Sequence, residues 1–347
     1  MTDHPIGCVD GLIDGELRGW IANREHPSRP QQVICQSPDG QQIAFSPFVY
    51  REDVIRDIGV LGVFGFAIPL VLLASLGSVC SVTDQHGRAL HNGIKVTLPL
   101  ERPPDHPRAP LHIFLHIPKT AGTSLRTTLL ATVPPGEKLL IYPDQVPGLS
   151  LAKFHRVPLR QRNRLSWIFG HCQFGLDRHV TQPSRYVTFI REPMDRIRSN
   201  LMHHIVANTQ FEINGISLRV ATVFNEGLSE ECDNVMVRAL SGIGQAIVPL
   251  GQIGEDEVEI ALNNVRRHFC FVGRQVQASS DTLTLQRHLG LPLSALSMEN
   301  VTVTIDYSEV GESIGIDWNR IAARNRPDIA LYSRLVQEGL VSRILDQ

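Results

Sequence analysis

The stretch from Leu111 to Leu130 reads LHIFLHIPKTAGTSLRTTLL. An apolar run ends at Pro118, and a segment with a helical pattern follows the polar loop. A continuous apolar strand is typical of a sheet that is covered on both faces. Between such a strand and the next helix, free backbone N–H groups and the helix dipole favour an anion. The stretch therefore predicts a phosphate-binding loop at the carboxyl end of a strand in an α/β sheet.

Each residue type in this loop suits a phosphate. A lysine brings positive charge, small residues allow close approach of the backbone, and hydroxyl groups add hydrogen-bond donors. The residues expected to bind are Lys119, Thr120, Ala121, Gly122, Thr123 and Ser124. Thr123 is also expected to cap the helix. A plain strand–helix turn with a surface lysine is the alternative for so short a motif. The pattern GxxxxGK[ST] is missing, which disfavours ATP with Mg²⁺.

A second candidate anion site follows another apolar strand, in RYVTFIREPMDRIRSNLMHHI (residues 185–205). Arg191 stands at the end of the strand, and Ser199 follows about two helical turns later. An arginine at this position suits bidentate contact with a phosphate. The alternative is that Arg191 pairs with Glu192, Asp195 or another acid and that Ser199 has no role in binding. A ligand with two separated phosphates would use both loops.

The chain changes texture at a proline-rich segment. Residues 1–100 show short apolar runs between turn signals and no amphipathic helix of any length, which predicts a small all-β, sandwich-like domain. Residues 101–110, ERPPDHPRAP, predict a stiff linker. Residues 111–347 predict an α/β domain with a P-loop-like parallel sheet flanked by helices. Its predicted elements are strands at 111–117, 167–170, 185–190 and 270–273 and helices at 123–132, 193–206 and 255–268.

The bulk composition excludes several classes of protein. The 347 residues carry a formal net charge of −2, so overall charge gives no attraction to nucleic acid. The six cysteines form no CxxC pair, which favours reduced thiols in a cytosolic protein. Residues 58–83 contain no charge, but glycines interrupt them, and two buried strands explain the run better than a stable membrane span. No secretory signal is expected at the N-terminus.

The two loop motifs together resemble a known family. HIPKTAGTS (residues 116–124) followed by FIREPMDRIRS (residues 189–199) looks like the Golgi-type sulfotransferases of family 2, especially the branch with heparan sulfate 2-O-sulfotransferase and its bacterial relatives. The resemblance covers about residues 111–335. It extends to IFGHCQFGL (168–176), ECDNVMVRALSG (231–242), FVGRQVQ (271–277), ENVTV (299–303) and NRPDIALY (325–332). The chain departs from the family at 274–277, where many relatives carry an acid, and in a short acceptor region between residues 204 and 230.

This resemblance implies a donor and a set of roles. The first loop would bind the 5′-phosphosulfate of 3′-phosphoadenosine 5′-phosphosulfate (PAPS), and Arg191 and Ser199 would bind the 3′-phosphate. Lys119 would stabilise the leaving group, and His171 is the candidate general base. This scheme requires no metal. His116 is expected to be buried and hydrogen-bonded beneath the loop. Asn234 and Arg238 either line the acceptor site or pin a helix.

Residues 1–100 also resemble a β-module of bacterial enzymes that build surface polysaccharides. This implies a carbohydrate or glycoconjugate acceptor and a bacterial, cytoplasmic protein, with the inner face of the membrane as a second location. Two other functions stay open. One is a nucleotide-dependent kinase or NTPase, and the other is a non-catalytic glycan-binding protein with a degenerate transferase domain. The sequence names neither the acceptor hydroxyl nor the oligomeric state.

Overall fold

The structure is a computed structural model. It describes residues 5–26, 31–47, 49–59, 63–98, 110–131, 133–142, 154, 157–213, 216–245, 247–292, 310–311 and 313–345. Residues 101–109 of the expected linker and the ENVTV segment lie outside the described residues.

The strands and helices are numbered in chain order. The strands are β1 (Ile6–Ile13), β2 (Glu16–Ala22), β3 (Val33–Gln36), β4 (Gln42–Phe45), β5 (Val49–Tyr50), β6 (Val63–Pro69), β7 (Val79–Asp84), β8 (Val96–Thr97), β9 (Leu111–Leu115), β10 (Lys138–Ile141), β11 (Trp167–Gly170), β12 (Ser184–Ile190), β13 (Phe211–Ile213), β14 (Ile216–Leu218) and β15 (Phe269–Arg274). The helices are α1 (Glu52–Ile58), α2 (Gly122–Leu130), α3 (Leu159–Arg162), α4 (Pro193–Val206), α5 (Val220–Glu226), α6 (Val235–Ser241), α7 (Glu255–His268), α8 (Ala278–His288), α9 (Trp318–Arg324) and α10 (Arg326–Gln337).

A five-stranded sheet lies at the centre of the α/β part, with strand order β10–β11–β9–β12–β15. Strands β12 and β15 pair in parallel, with Val187 opposite Phe271. Strands β9, β11, β12 and β15 are buried along most of their length, as expected for apolar runs covered on both faces. The predicted α/β class, a parallel sheet flanked by helices and preceded by a β-module, is confirmed.

Helix α4 begins and ends where the sequence predicts. Pro193 occupies the first turn, where its missing N–H costs nothing, and the Glu192 side chain accepts a hydrogen bond from the backbone N–H of Asp195. Helix α7 likewise matches its prediction, with acidic residues in its first turn and basic residues in its last. These two helices were predictable because their end signals are local.

The β-module contains two four-stranded sheets, in the orders β1–β2–β6–β5 and β4–β3–β7–β8. Apolar side chains from both sheets share one core, which includes Leu17 and Ile68 from the first sheet and Val33 and Val82 from the second. This is the sandwich-like arrangement that the sequence predicts. The prediction that residues 1–100 contain no helix of any length was wrong, because α1 occupies Glu52–Ile58.

The chain divides into two compact units. One comprises Met1–Leu111, Leu139–Ile168 and Gly175–Ser184, and the other His112–Lys138, Phe169–Phe174 and Arg185–Gln347. Every candidate site residue named above belongs to the second unit. The uncharged run forms β6, a 3₁₀ helix at Leu70–Leu76 and β7. In the described part of the chain, no helix combines the length and apolarity needed to cross a membrane.

Candidate functional site

The loop after β9 has an unusual backbone. Lys119 and Ala121 adopt positive φ angles of 71° and 69°. Residues other than glycine rarely adopt this conformation, and such backbone strain concentrates at ligand sites. The buried Thr120 hydroxyl donates a 2.8 Å hydrogen bond to the carbonyl of Ile117, which closes the turn. Successive N–H groups in a turn with left-handed residues form a concave anion-binding surface.

The helix after this loop begins one residue earlier than predicted. Helix α2 starts at Gly122, and Ala121 precedes it without a side-chain capping hydrogen bond. Thr123 is therefore inside the first turn, and the expectation that it caps the helix was wrong. The backbone of Thr123 and Ser124 is helical, while their side chains lie outside the described part of the structure.

His116 lies directly beneath the loop. Its backbone N–H donates a 2.8 Å hydrogen bond to the carbonyl of Gly170, at the end of β11. Its ring contacts Gly122 so closely that a Cβ atom there would lie 2.0 Å from Nε2. Burial, together with the neighbouring His171 and Arg126, lowers the pKa of His116 to about 3. The predicted burial of His116 is confirmed, and its ring is neutral at pH 7.

His171 follows β11 directly and is the more accessible of the two histidines. The ring centroids of His116 and His171 are 4.6 Å apart, and the rings meet edge to face. Burial lowers the pKa of His171 to about 4, with Glu231 opposing this change and Arg126 adding to it. The imidazole is therefore neutral at pH 7 and is able to accept a proton.

The two predicted anion-binding segments come together in the structure. The guanidinium Nη1 of Arg191 lies 3.4 Å from the carbonyl oxygen of Lys119. Burial and the charge of Arg191 lower the pKa of the Lys119 ammonium, while Glu231 opposes them. Two cations thus lie next to each other at the carboxyl ends of β9 and β12.

The alternative ion pairs for Arg191 do not form among the described residues. Glu192 accepts a 2.7 Å hydrogen bond from the backbone N–H of Asp195. Asp195 in turn pairs with Arg198 at 2.9 Å. Ser199 is buried on α4, and no described residue forms a hydrogen bond with its hydroxyl group. Apart from the contact of Arg191 Nη1 with the Lys119 carbonyl, Arg191 and Ser199 therefore keep their donor capacity for a ligand.

No sequence pattern singles out Glu231. This residue accepts hydrogen bonds from α4 at both its backbone and its side chain, and its charge affects Lys119 and His171. It is the first residue of the segment ECDNVMVRALSG (231–242), whose resemblance to the family lies in the Asp-Asn-x-x-x-Arg-x-Leu pattern that begins only at Asp233. Only the tertiary fold brings it beside α4, since 31 positions separate it from Asn200.

Asn234 and Arg238 pin a helix. Asn234 is buried, and its backbone N–H donates a 2.9 Å hydrogen bond to Oδ1 of Asn325. Arg238 is also buried and binds the carboxylate of Asp233 and the carbonyl of Val248. These internal hydrogen bonds favour the second of the two roles considered for this pair from the sequence.

Asp328, in the same NRPD segment as Asn325, also fixes α6 in place. Asp328 accepts hydrogen bonds of 3.1 and 2.8 Å from the backbone N–H groups of Met236 and Val237. It thereby satisfies donors at the start of α6, which would otherwise be buried without a partner. The resemblance of residues 325–332 to the family segment thus corresponds to a structural element.

The described residues contain no group of three or more His, Cys, Asp or Glu side chains arranged to hold a metal ion. All six cysteines are free thiols, and five of them are buried.

Comparisons with known proteins find one weak structural similarity. No protein-family profile matches the chain, and no curated protein matches it. One similar solved structure is the crystal structure of mouse sulfotransferase SULT7A1 complexed with PAP. The two chains are 13% identical, the match covers 66% of this chain and 85% of that chain, and the TM-score is 0.24. A match at this level carries no conclusion about residues or activity.

Proposed function

We propose that this protein is a PAPS-dependent sulfotransferase that moves a sulfuryl group to a hydroxyl of a carbohydrate or glycoconjugate. One observation carries the proposal. The two cationic segments meet where Arg191 Nη1 approaches the carbonyl of Lys119, and two neutral histidines lie beside the same loop. A site for phosphate oxygens and a proton acceptor thus occur together.

The donor set suits an anion that carries phosphate at two positions. The backbone of the loop from Lys119 to Ser124 and the ammonium of Lys119 would hold the 5′-phosphosulfate. Arg191 forms no ion pair with a described residue, and the Ser199 hydroxyl forms no hydrogen bond with one. These two side chains would hold the 3′-phosphate. ADP carries a ribose hydroxyl where PAPS carries the 3′-phosphate, so Arg191 would have no anionic partner. The site would therefore discriminate against ADP-like molecules.

His171 is the proposed general base. It would accept the proton of the acceptor hydroxyl as that oxygen bonds to sulfur, while the bond from sulfur to the phosphate oxygen breaks. When bound, PAPS supplies the sulfuryl group and leaves as 3′-phosphoadenosine 5′-phosphate (PAP). Lys119 would stabilise the negative charge that develops on the leaving phosphate. We assign the base to His171 because His116 is buried under Gly122.

The acceptor class rests on the β-module. Its resemblance to modules of enzymes that build bacterial surface polysaccharides supports a sugar-containing acceptor and a bacterial, cytoplasmic setting. The competing classes differ in the nucleotide that they bind. A kinase or NTPase requires ADP or ATP with Mg²⁺.

The test is calorimetric titration of the full chain with PAP and, separately, with ADP and Mg²⁺. We expect PAP to bind with a Kd of about 1 µM and Arg191→Ala to weaken it by about 10- to 100-fold, since a charged hydrogen bond is lost. The matched control is Arg198→Ala, because Arg198 lies on α4, which follows Arg191, but pairs with Asp195. Binding of ADP with Mg²⁺ alone would overturn the proposal, and so would equal losses in the two variants.

A further inference from the structure

Side chains from three successive turns of α4 form hydrogen bonds with one residue, Glu231. The guanidinium Nη2 of Arg196 donates a 2.9 Å hydrogen bond to the backbone carbonyl of Glu231. Asn200 Nδ2 and His204 Nε2 lie 3.0 and 2.7 Å from Oε2 of the same glutamate. The three side chains are spaced four residues apart, which places them on one face of the helix. Both the backbone and the carboxylate of Glu231 are therefore fixed.

The side chains that form hydrogen bonds with Glu231 are packed inside the protein. Arg196, Asn200 and His204 are all buried. His204 Nδ1 lies 3.2 Å from the Thr209 hydroxyl, and its ring lies 4.9 Å from that of Phe211. Burying a guanidinium opposes folding unless it is fully hydrogen-bonded, and the Nε and Nη1 atoms of Arg196 have no partner among the described residues. This cost accompanies a contact that fixes a glutamate whose own side chain is 45% exposed. Such support is typical of a residue that must present its polar group in one orientation.

The carboxylate oxygen Oε1 of Glu231 takes no part in these hydrogen bonds. Both side-chain hydrogen bonds reach Oε2, and no donor among the described residues reaches Oε1. Burial opposes ionisation, but the hydrogen bonds from His204 and Asn200 outweigh it and lower the pKa of Glu231 to about 2. The group is therefore a charged hydrogen-bond acceptor at neutral pH and a poor proton acceptor.

The carboxylate of Glu231 lies near residues of the proposed chemistry. The charge of Glu231 acts on both Lys119 and His171. The neighbouring Glu230 and the Gln173 side chain both approach Gly244, where a Cβ atom would lie 3.1 Å from Gln173 Nε2 and 3.4 Å from Glu230 Oε1. The turn that carries Glu231 and the segment that carries His171 thus pack on the same glycine.

We infer that Glu231 contacts the acceptor and sets its charge class. Its Oε1 accepts a hydrogen bond from a hydroxyl or ammonium group next to the reacting hydroxyl, and its negative charge disfavours acceptors with a carboxylate at that place. This inference rests on the proposed sulfotransferase function. The favoured acceptors are neutral or amino sugars, and the disfavoured ones are uronic acids.

The experiment uses three tetrasaccharides of one linkage, built from glucose, glucosamine and glucuronic acid. Sulfation of each by the full chain is measured with PAPS as donor, for the unchanged protein, Glu231→Gln and Glu230→Gln. Glutamine at 231 still offers an oxygen to Asn200 and His204 but removes the charge. Glu230→Gln is the matched control, since the Glu230 carboxylate accepts a hydrogen bond from the backbone of Gln245 instead.

We expect the unchanged protein to prefer the glucose and glucosamine substrates over the glucuronate by at least about 10-fold in kcat/KM. Glu231→Gln should reduce this preference by about 10-fold, while Glu230→Gln should keep it. The ratio is measured within one preparation, so it does not depend on the fraction of folded protein. PAP titration of each variant is measured in parallel.

The outcomes separate the two proposals. Failure to bind PAP would overturn the proposed function itself. Binding of PAP without sulfation of any of the three would overturn the proposed carbohydrate acceptor, on which the role of Glu231 depends. Sulfation with a preference for the glucuronate, or with a preference unchanged in Glu231→Gln, would overturn only the role of Glu231.

Discussion

The ring of His116 fills the space where a side chain at Gly122 would lie: a Cβ atom there would be 2.0 Å from Nε2 and 2.1 Å from Cδ2. The first turn of α2 can therefore approach the His116 ring this closely only with glycine at this position. Because His116 also contacts the His171 ring, this close approach links the shape of the loop to the position of the proposed base.

Gly122→Ala should therefore destabilise the protein and weaken PAP binding. We expect a loss of about 1–3 kcal/mol in the free energy of unfolding, measured with urea, because the ring must move. The double variant Gly122→Ala/His116→Ala should lose less than the sum of the single changes, since the alanine at 116 vacates the space. Gly136→Ala is the control, because a Cβ atom at Gly136 meets nothing within 4 Å. Additive losses would show that the contact does not matter.

The pH dependence of activity should identify the base. His171 must be neutral to accept a proton, and its pKa is lowered to about 4. The rate constant kcat/KM should therefore stay level as the pH falls from 8 to about 5.5 and drop only below that, near the pKa. Half-maximal activity near the ordinary histidine pKa of about 6.5 would contradict this assignment.

Arg126 provides a second check on the same group. Its charge lowers the pKa of His171, so Arg126→Met should move the acid limb of the kcat/KM profile to higher pH. Arg320→Met is the matched control, since Arg320 pairs with Glu226. An equal effect of the two changes on the acid limb would exclude a local action of Arg126.

The sequence predicts much of the sheet and of α4, because apolar runs and helix-end signals are local. The hairpin of β1 and β2 carries a further local signal. Asp14 and Gly15 both adopt positive φ angles, of 53° and 80°, in the turn between β1 and β2. This Asp-Gly pair is a hairpin signal, and it could have predicted these two strands. An Asn-Gly pair likewise stands between β13 and β14, at residues 214–215, which lie outside the described ranges.

The role of Glu231 could not be predicted in this way. Its partner Asn200 lies on a helix whose amphipathic pattern shows only that one face is buried. Which residue meets that face depends on how the chain returns after β14, and no local pattern encodes it. The same holds for Asp328, whose acceptor role requires contact with Val237 across 91 positions. Isolated polar residues of this kind gain their meaning from tertiary contacts.

Buried histidines should make the protein less stable in mild acid. Burial lowers the pKa values of His116, His171 and His179 to about 3, 4 and 3. Between these values and the ordinary pKa of about 6.5, the unfolded chain binds more protons than the native one, so stability falls as the pH falls. Asp328 acts in the opposite direction, because burial raises its pKa to about 6. Three histidines act in one direction and Asp328 acts alone in the other, so we expect the protein to lose stability as the pH falls.

The measurement is the urea midpoint at pH 7.5 and pH 5.5, where most carboxylates are ionised in both states. We expect a lower midpoint at pH 5.5, and a smaller difference for His179→Gln than for the unchanged protein. His86→Gln serves as the control, because the His86 side chain is exposed. A midpoint that rises on acidification would show that the histidines are not buried in neutral form.

A buried ion pair gives the last prediction, within the first unit. The fully buried Arg162 guanidinium pairs with the fully buried Glu16 carboxylate and donates 2.9 and 2.8 Å hydrogen bonds to the carbonyls of Val157 and His179. Arg162→Met should cost about 3–5 kcal/mol of unfolding free energy, because it leaves Glu16 charged and buried with only Arg18 as a partner. Glu16→Gln/Arg162→Met should cost less than Arg162→Met alone, since the uncompensated charge is gone.

Arg24→Met is the surface control for this pair, since the Arg24–Asp57 pair is more than half exposed, with 59% and 57% of the two side chains accessible. Its loss should change the free energy of unfolding by less than about 1 kcal/mol. If Arg162→Met were as mild as Arg24→Met, the carboxylate of Glu16 would have to be solvated or protonated in the folded protein. If the double variant were less stable than Arg162→Met, the Glu16 carboxylate would gain more from its pair with Arg18 than it loses by burial, because the hydrogen bonds of Arg162 to the two carbonyls are lost in both variants.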